Sequence, residues 1–421
     1  MSSTSKRRSS GLVDLAVLAV VASAWAAGLA AILAHSIFVT NDSLSNYAHV
    51  WYVAKVLWHC GGIPYHFPEL GHGDALAFPY GFVPWFTAAV FRPVFGDWIV
   101  TLWLVLGGAG TLAATAWAFP EIRRPLPVAL LLANPLMVES VILGQLPFLW
   151  ASAIWFLAIG LWRGNRFVLA VVVAAVAQAT HPAVVLPLAG LTVLLRLPFE
   201  PRRKRLFLAY CVSVGLALPG IAMVFLSPVV EDSTLSSLAA NFLGTVSLRA
   251  GVVFAPFVAA WLGRRLSHAW LLGAVIAALL LNPLLVPIRN TAYAWQAFVR
   301  TPDETLVPFL ESGGFHAGAT YRILRVADGK VGMYQLIQHG GKLDSEFFPE
   351  SIDRRSWPSA GAYLTFLRDR RVDEVLIYFA YDARYRTNEH SLLDDLVARS
   401  CAARTLQTAQ FDLYHVQQSC P

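Results

Sequence analysis

The chain has 421 residues, of which 57% are hydrophobic and only 14% carry a charge. This balance excludes an ordinary soluble protein and indicates an integral membrane protein. The net charge of +6 does not require a nucleic-acid partner, because cationic residues in membrane proteins serve to fix topology.

The charges divide the chain into two parts. Residues 1–288 hold 17 basic and 10 acidic side chains, whereas the much shorter stretch 289–421 holds 15 and 16. The sequence therefore predicts a transmembrane domain over 1–288, with the lipid bilayer as its surroundings, and a water-soluble domain over 289–421.

The first apolar run follows the basic start Lys6-Arg7-Arg8 and extends from Gly11 to Ala34, interrupted only by Asp14. It is too long for a cleaved signal peptide, so we expect an uncleaved first helix. Several later runs are shorter than the ~20 residues of a perpendicular span, which predicts tilted or broken helices and about 9–11 spans in all. The apolar runs are 11–34, 97–119, 124–137, 140–162, 166–180, 182–197, 206–229, 250–263 and 267–288.

Basic clusters predict the orientation of these spans. All of them fall on the cytoplasmic side when 80–95 does not cross the bilayer. The N-terminus is then cytoplasmic, while the first loop 35–96 and the C-terminal domain are extracytoplasmic. The abundance of Ala and Val and the scarcity of Lys suggest a bacterial cytoplasmic (inner) membrane. The clusters are Lys6–Arg8, Arg123–Arg124, Arg163 with Arg166, Arg202–Arg205 and Arg264–Arg265.

The first loop is unusually rich in polar, aromatic, Pro and Gly residues between Thr40 and Trp85. Ser43 to His59 contains no helix breaker and has an aromatic face, which predicts an interfacial helix. Gly71 to Pro84 is punctuated by Gly and Pro and favours an irregular segment. Trp85, like most other tryptophans near segment ends, is typical of an interfacial belt.

Asp42 is the first candidate for chemistry, because it lies just before this helix and outside the first span. A carboxylate there is placed to take a proton from an acceptor hydroxyl. An Asp directly before a helix is equally typical of an N-cap. Spacing alone leaves both interpretations open.

A set of short motifs resembles the GT-C superfamily of polytopic glycosyltransferases, which use polyprenyl-phosphate sugars as donors. The resemblance covers roughly residues 10–200. It rests on the exoplasmic Asp42, Tyr47, the turn Gly61-Gly62-Ile63-Pro64-Tyr65, the tract Phe78 to Pro84, Asn134-Pro135, Glu139 and Gly144-Gln145.

The resemblance implies that Asp42 is the general base and that Glu139 or Gln145 stands near a second polar position of the family. Gln145 is neutral where many members carry a carboxylate. We assign substrate binding to the polar and aromatic residues Asn41, Tyr47, Tyr65, His66, Glu69, Asp74, Tyr80, Glu139, Gln145 and His181.

An outer site cannot be reached by cytoplasmic nucleotide sugars, so the donor must arrive on a lipid. Its phosphate requires cations, and Arg249 and Arg289 each stand at the outer end of a predicted span. Contact with ordinary lipid headgroups is the alternative for both arginines.

No metal or other cofactor is required by this interpretation, and the sequence leaves metal dependence open. His66, Glu69 and His72 are spaced three apart, but the surrounding prolines and glycines prevent a helix from holding them on one face. His181 precedes Pro182 in a predicted outer turn, where it either lines a cavity or makes a local hydrogen bond.

The tail is predicted to be a small α/β domain. The pattern favours strands at 320–326, 332–338, 373–379 and 411–417, and helices at 359–371 and 388–399. It contains no glycine-rich phosphate loop. Cys401 and Cys420 are expected to pair if the tail lies in an oxidising compartment.

The sequence thus predicts an all-α polytopic membrane protein with a GT-C-like domain and a small extracytoplasmic α/β domain. We expect it to transfer a sugar from a polyprenyl-phosphate donor to an extracytoplasmic glycan, lipid or protein. The alternatives are a glycolipid transporter or flippase, or a non-catalytic subunit of an envelope-glycan assembly complex.

Overall fold

The computed structural model describes residues 2–34, 36–37, 43–64, 66–70, 74–75, 82–225, 232–289, 307–324, 329–344, 356–379 and 387–420. These residues are mostly helical and include a small sheet towards the C-terminus, consistent with a polytopic membrane protein. The chain forms two compact units. The first comprises Met1–Asn46, Ala77–Leu226 and Asn241–Val299, and the second Tyr47–Leu76, Ser227–Ala240 and Arg300–Pro421.

Twelve helices run from the start of the chain to Arg289 in the described residues. They are α1 (Ser2–Leu33), α2 (Ser43–Cys60), α3 (Val83–Phe95), α4 (Trp98–Ala118), α5 (Pro125–Leu132), α6 (Pro135–Ile142), α7 (Leu146–Arg163), α8 (Phe167–Thr180), α9 (Pro182–Arg196), α10 (Arg203–Phe225), α11 (Asp232–Arg265) and α12 (His268–Arg289). The helix predicted over 43–59 is confirmed as α2.

Five stretches in the described part are long and apolar enough to cross a membrane, and the pair α5 and α6, bent by 47°, makes a sixth if it is one span. The predicted segments 166–180 and 267–288 appear as α8 and α12, whose apolar stretches fall below that length. The larger count of 9 to 11 spans stays a prediction. The five stretches are Gly11–Leu33, Trp98–Ala118, Leu146–Arg163, Pro182–Phe199 and Arg203–Ala222.

The predicted boundaries between 124 and 162 are wrong. The apolar run 124–137 is broken into α5 and α6, and the next helix begins at Leu146 and not at 140. Asn134 is extended (φ −64°, ψ 113°) because the ring of Pro135 disfavours a helical conformation in the residue before it. Gly144 adopts a positive φ of 72°, which ends α6 and separates it from α7.

Small residues allow the helices of the first unit to pack closely. Gly107 in α4 faces Trp150 in α7, and a Cβ on this glycine would lie 3.0 Å from the indole ring. Thr111 Oγ1 donates across the same pair of helices to the carbonyl of Leu149 at 2.9 Å. The α4–α7 pair therefore forms a tightly packed, hydrogen-bonded centre of this unit.

The second unit contains a five-stranded sheet in the order β4-β3-β5-β7-β6. Its strands are β3 (Thr320–Leu324), β4 (Lys342–Leu343), β5 (Glu374–Tyr378), β6 (Ala402–Gln407) and β7 (Phe411–Val416), and a separate short hairpin pairs β1 (His66–Phe67) with β2 (Asp74–Ala75). Strands β4, β3 and β5 run parallel, and β7 and β6 pair antiparallel. The helices are α13 (Val307–Glu311), α14 (Gly329–Gln338), α15 (Ala360–Asp369) and α16 (Glu389–Ala398).

Most of the predicted elements of the tail match the structure within a few residues, whereas α13, β4 and β6 were not predicted and one strand was misassigned. The strand predicted over 332–338 is wrong, because these residues belong to α14. A short apolar run does not distinguish a strand from a buried helix, and the parallel strands β3 and β4 require a crossover between them. Strand β6 was missed because its middle residues are exposed and polar. Cys401 and Cys420 form a disulfide.

Candidate functional site

Three interruptions divide the apolar helices of the first unit. They lie at Asn134 between α5 and α6, at 143–145 between α6 and α7, and at His181 between α8 and α9. In a bilayer, backbone that leaves the helix exposes N–H and C=O groups that need partners inside the protein. Breaks within apolar helices are therefore places to search for a site.

Two asparagine side chains hydrogen-bond to backbone groups at the first two breaks or in the helices beside them. Asn134 accepts a hydrogen bond from the backbone N–H of Leu136 at 3.1 Å and donates to the carbonyl of Gly251 at 3.2 Å. Asn46, which is buried, donates to the carbonyl of Gly144 at 2.9 Å and accepts from the indole N–H of Trp85 at 2.8 Å. These amides hold the irregular backbone in fixed positions.

Arg249 of α11 lies beside the second and third breaks. Its Nε is 3.4 Å from Oε1 of Gln145, and its guanidinium lies over the ring of Phe148 at 5.6 Å. Phe148 in turn makes an edge contact with His181 at 5.9 Å between ring centroids. The structure thus brings Gln145, His181 and Arg249 into one cluster, which we call the Arg249 cluster together with Phe148.

The Arg249 cluster is electropositive. Gln145 precedes the first residue of α7 and His181 precedes the first residue of α9, so the N-terminal ends of both helices adjoin it. The 3.4 Å separation makes a weak bond to a neutral amide. Within the described residues no carboxylate pairs with Arg249, and a guanidinium beside helix N-termini is a chemically suitable partner for an anion such as a phosphate.

Glu139 lies in α6, half-buried, and its backbone carbonyl accepts a hydrogen bond from Leu143 at 2.8 Å. Arg289 ends α12, but its side chain lies outside those described. Asn41, Asp42, Tyr65 and Tyr80 are outside the described residues, so the role of Asp42 as a base stays a prediction. The side chain of Asp74, the first residue of β2, is also outside the described residues.

The remaining predicted site residues belong to the second unit. Tyr47 is buried and packs against Tyr334 at 5.9 Å between ring centroids. Glu69 forms an ion pair with Lys55 at 3.1 Å, and its carbonyl accepts from the N–H of Leu343 at 2.9 Å. His66 is half-buried in β1. These contacts give Tyr47 and Glu69 packing roles within this unit, and their binding of a substrate stays a prediction.

Tyr52 marks how closely this stretch of the second unit is packed. Its ring stacks on Phe67 at 4.4 Å. Burial raises the pKa of Tyr52 to about 12, and the nearby negative charge of Glu69 adds to the rise. A phenol with so high a pKa remains protonated at neutral pH and does not act as a base there.

Sequence reasoning missed Asn46, Trp85 and Phe148. An asparagine within a predicted helix is a signal, because it is a poor helix former and needs hydrogen-bond partners when buried. The interpretation of Trp85 as an interfacial belt residue is wrong, since its side chain is fully buried and donates to Asn46. Phe148 carried no local signal.

Among the residues that the structure describes, no group of three His, Cys, Asp or Glu side chains is arranged to hold a metal ion. Comparison of the chain with protein-family models, with curated proteins and with solved structures gave no match.

Proposed function

We propose that this protein is a membrane glycosyltransferase of the GT-C kind. It moves a sugar from a polyprenyl-phosphate donor to a glycan, lipid or protein acceptor on the outer face of a bacterial cytoplasmic membrane. The observation that carries the proposal is the Arg249 cluster, where a cation without a carboxylate partner in the described residues adjoins two helix N-termini.

Such a cluster suits the leaving group of this reaction. The acceptor oxygen attacks the anomeric carbon of the sugar, the bond from that carbon to the phosphate oxygen breaks, and the oxygen keeps the electron pair. The polyprenyl phosphate gains one negative charge in this step. Arg249 and the N-terminal end of α7 stabilise that charge as it develops, which lowers the barrier.

The acceptor hydroxyl loses its proton in the same step. Asp42 takes this proton as the general base, on the grounds of the sequence resemblance and of its place after the first span. Inversion at the anomeric carbon is the expected outcome by analogy with the superfamily. No metal is needed in this scheme, because cationic groups of the chain itself hold the phosphate.

Gln145, Phe148 and His181 position Arg249. The amide of Gln145 lies 3.4 Å from Nε of the arginine, and the Phe148 ring supports its guanidinium from one side. His181 supports Phe148 in turn through the edge contact. Broken apolar helices of this kind also occur in transporters, so the experiment must separate sugar transfer from flipping.

The test is sugar transfer in membranes that contain a radiolabelled pool of polyprenyl-phosphate sugars and equal amounts of each variant. Asp42→Asn should lower the initial rate by about 10²–10⁴-fold, the usual contribution of a general base. Arg249→Gln should lower it by about 10²–10³-fold, as for other groups that stabilise developing charge. Asp369→Asn and Arg265→Gln are the controls, because each removes the same kind of charge from an exposed residue, Asp369 at the end of α15 and Arg265 at the end of α11.

Each result has a separate meaning. Equal rates in wild type and Asp42→Asn would reduce Asp42 to a helix cap. A labelled lipid that only changes leaflet, with no transferred product, would replace the enzyme by a flippase. Activity that requires a second chain and survives both substitutions would indicate a non-catalytic subunit.

A further inference from the structure

A cavity of about 300 Å³ lies within the first unit among α7, α8, α9, α10 and α11. Apolar and aromatic side chains form most of its wall, among them Phe119, Trp155, Trp162 and Phe257. Its size is at the lower end of the range of small-molecule sites. The Arg249 cluster does not contribute to its lining.

Charged side chains also line this cavity. Arg163 pairs with Glu121 at 2.8 Å, and Arg196 pairs with Glu200 at 3.4 Å. Arg264 is the remaining charged residue of the lining. In the described part of the chain it hydrogen-bonds only to the carbonyl of Ala260 in its own helix, at 3.2 Å. The lining therefore carries one positive charge more than its acidic residues neutralise.

The sequence next to the lining residues adds further positive charge. Arg202 donates to Asn165 at 2.7 Å and lies over the ring of Phe167, as does Arg205. An anionic group at the mouth of the cavity would be held by several cations at once. The neighbouring basic residues are Arg123, Arg124, Arg166, Arg202, Arg203, Lys204 and Arg205.

Trp155 provides a second, independent observation. Its side chain lines the cavity and is 6% exposed, yet its indole N–H has no acceptor among the described residues. An unsatisfied buried donor costs about 1–3 kcal/mol. A ligand with an oxygen acceptor, such as an ester carbonyl, would remove that cost.

Another cavity in the same unit has neither a charged lining nor an indole N–H without an acceptor. It measures about 270 Å³ and lies among α1, α5, α6 and Leu279 of α12, with no charged residue in its lining. The indole N–H of Trp25 in that cavity donates to the carbonyl of Leu132 at 2.7 Å. The lining of that cavity therefore gives no reason to expect a lipid headgroup or a polar ligand.

Helix α7 separates the charged cavity from the Arg249 cluster. Its first residue, Leu146, adjoins Gln145, and its last, Arg163, lines the cavity. Eighteen residues of α-helix extend about 27 Å, close to the ~30 Å thickness of the hydrocarbon core. The Arg249 cluster therefore adjoins one end of α7, and the charged cavity extends to its other end.

We infer that this cavity binds an anionic phospholipid from the leaflet at the basic end of the helices. Its phosphate lies against Arg264 and Arg196, and one acyl chain enters between Trp155 and Trp162. An ester carbonyl accepts the hydrogen bond of the Trp155 indole. This site is separate from the proposed transfer reaction, and its test does not depend on that reaction.

The test measures lipid retained by the purified full-length protein. The protein is placed in nanodiscs of equal dioleoyl-phosphatidylglycerol and dioleoyl-phosphatidylcholine, and bound lipids are counted by native mass spectrometry after release. Wild type should keep one phosphatidylglycerol in preference to phosphatidylcholine. Arg264→Gln should lower that preference by about tenfold, which corresponds to about 1.4 kcal/mol.

Arg265→Gln is the matched control. It removes the same charge from the adjacent residue of α11, which does not line the cavity, and it should keep the wild-type preference. Equal losses in both variants would show a diffuse surface effect and overturn the proposal. Equal retention of both lipids by wild type would overturn the claim of an anionic ligand.

A second pair tests the acyl chain. Ala174→Phe fills the cavity from α8 and should abolish retention, whereas Val172→Phe, at a side chain 46% exposed on the same helix, should leave it unchanged. Full retention by Ala174→Phe would show that the lipid binds elsewhere. If Ala174→Phe fails to give a monodisperse protein, Ala174→Leu replaces it, and the arginine pair decides the question independently.

Discussion

Two arginines, one in each unit, have very different partners. Arg322 of β3 is fully buried, and its Nε and Nη2 donate to the two oxygens of Glu389, each at 2.9 Å. Tyr363 donates to the same carboxylate at 2.6 Å. Arg249 is partly buried and has the neutral amide of Gln145 at 3.4 Å and the face of Phe148.

The difference separates a structural charge from one available to a ligand. Burial by itself would lower the pKa of Arg322, and the charge of Glu389 raises it well above the usual value. Arg322 therefore stays charged, and its charge is used within the core of the second unit. Arg249 has no such partner in the described residues, and this difference is the basis for its proposed role in binding an anion.

The largest expected effect comes from removing the partner of Arg322. Glu389→Ala removes the two-pronged partner of a buried guanidinium, with Asp344 still at 3.5 Å, and should lower the free energy of unfolding of the second unit by about 3–5 kcal/mol. Pulse proteolysis of the full-length protein across a urea series measures this change. The comparison fails if the loss is below 1 kcal/mol, because the pair would then not hold the core.

Asp394→Ala is the matched control for this prediction. Asp394 also pairs with an arginine, Arg404, but both side chains are substantially exposed. Water and ions screen such a pair, so the substitution should cost less than about 1 kcal/mol.

The disulfide should have the next largest effect. Cys401 and Cys420 are 19 residues apart in sequence, and a cross-link that closes a loop of this length stabilises by about 3 kcal/mol. Reductant should therefore lower the urea midpoint of the second unit in wild type and leave a Cys401→Ser variant unaffected. An unchanged wild-type midpoint after verified reduction would contradict this account.

Arg249→Gln should have a much smaller effect on stability than Glu389→Ala. A single long hydrogen bond and one ring contact are lost, for a cost of about 1 kcal/mol. The midpoint of thermal aggregation in detergent, followed by fluorescence-detected gel filtration, measures it. A loss as large as that of Glu389→Ala would make Arg249 a structural residue and remove the basis for its role in phosphate binding.

Much of the fold follows from local signals. The run 97–119 becomes α4, and Pro182 after His181 fixes the start of α9, because apolar length and proline placement act within a few residues. The elements of the C-terminal tail follow less directly from local signals. The run 332–338 has the composition of either a strand or a buried helix, and the sheet to which it connects decides between them.

The candidate site was only partly predictable. Gln145 and His181 each stand at a helix break, which the sequence reveals one at a time, whereas Arg249, predicted at the outer end of a span, lies inside α11. Their convergence depends on the packing of α7, α9 and α11, and the contact between Gln145 and Arg249 joins residues 104 apart in the chain. The hydrogen bond between Trp85 and Asn46 shows the same limit, because the sequence around either residue gives no sign of the other.

The smallest effect concerns a buried carboxylate that lacks the compensation seen at Glu389. Glu374 of β5 is 3% exposed, and its Oε1 contacts the imidazoles of His415 at 3.0 Å and His316 at 3.4 Å. Its Oε2 has no hydrogen-bond partner in the described part of the chain. Burial raises the pKa of Glu374 above its ordinary value of 4.5, although both imidazoles oppose the rise.

Because the folded state binds this proton more tightly than the unfolded state, Glu374 makes the second unit less stable as the pH rises above 4.5. Each unit of the pKa difference corresponds to about 1.4 kcal/mol. Glu374→Gln cannot ionise, so its free energy of unfolding should lack that decline, and at pH 7 it should equal or exceed that of wild type. Asp395→Asn, at an exposed carboxylate on α16, should follow the wild-type pH profile. If wild type instead gains stability over this range and Glu374→Gln does not, the two imidazoles outweigh burial, and Glu374 resembles the compensated Glu389.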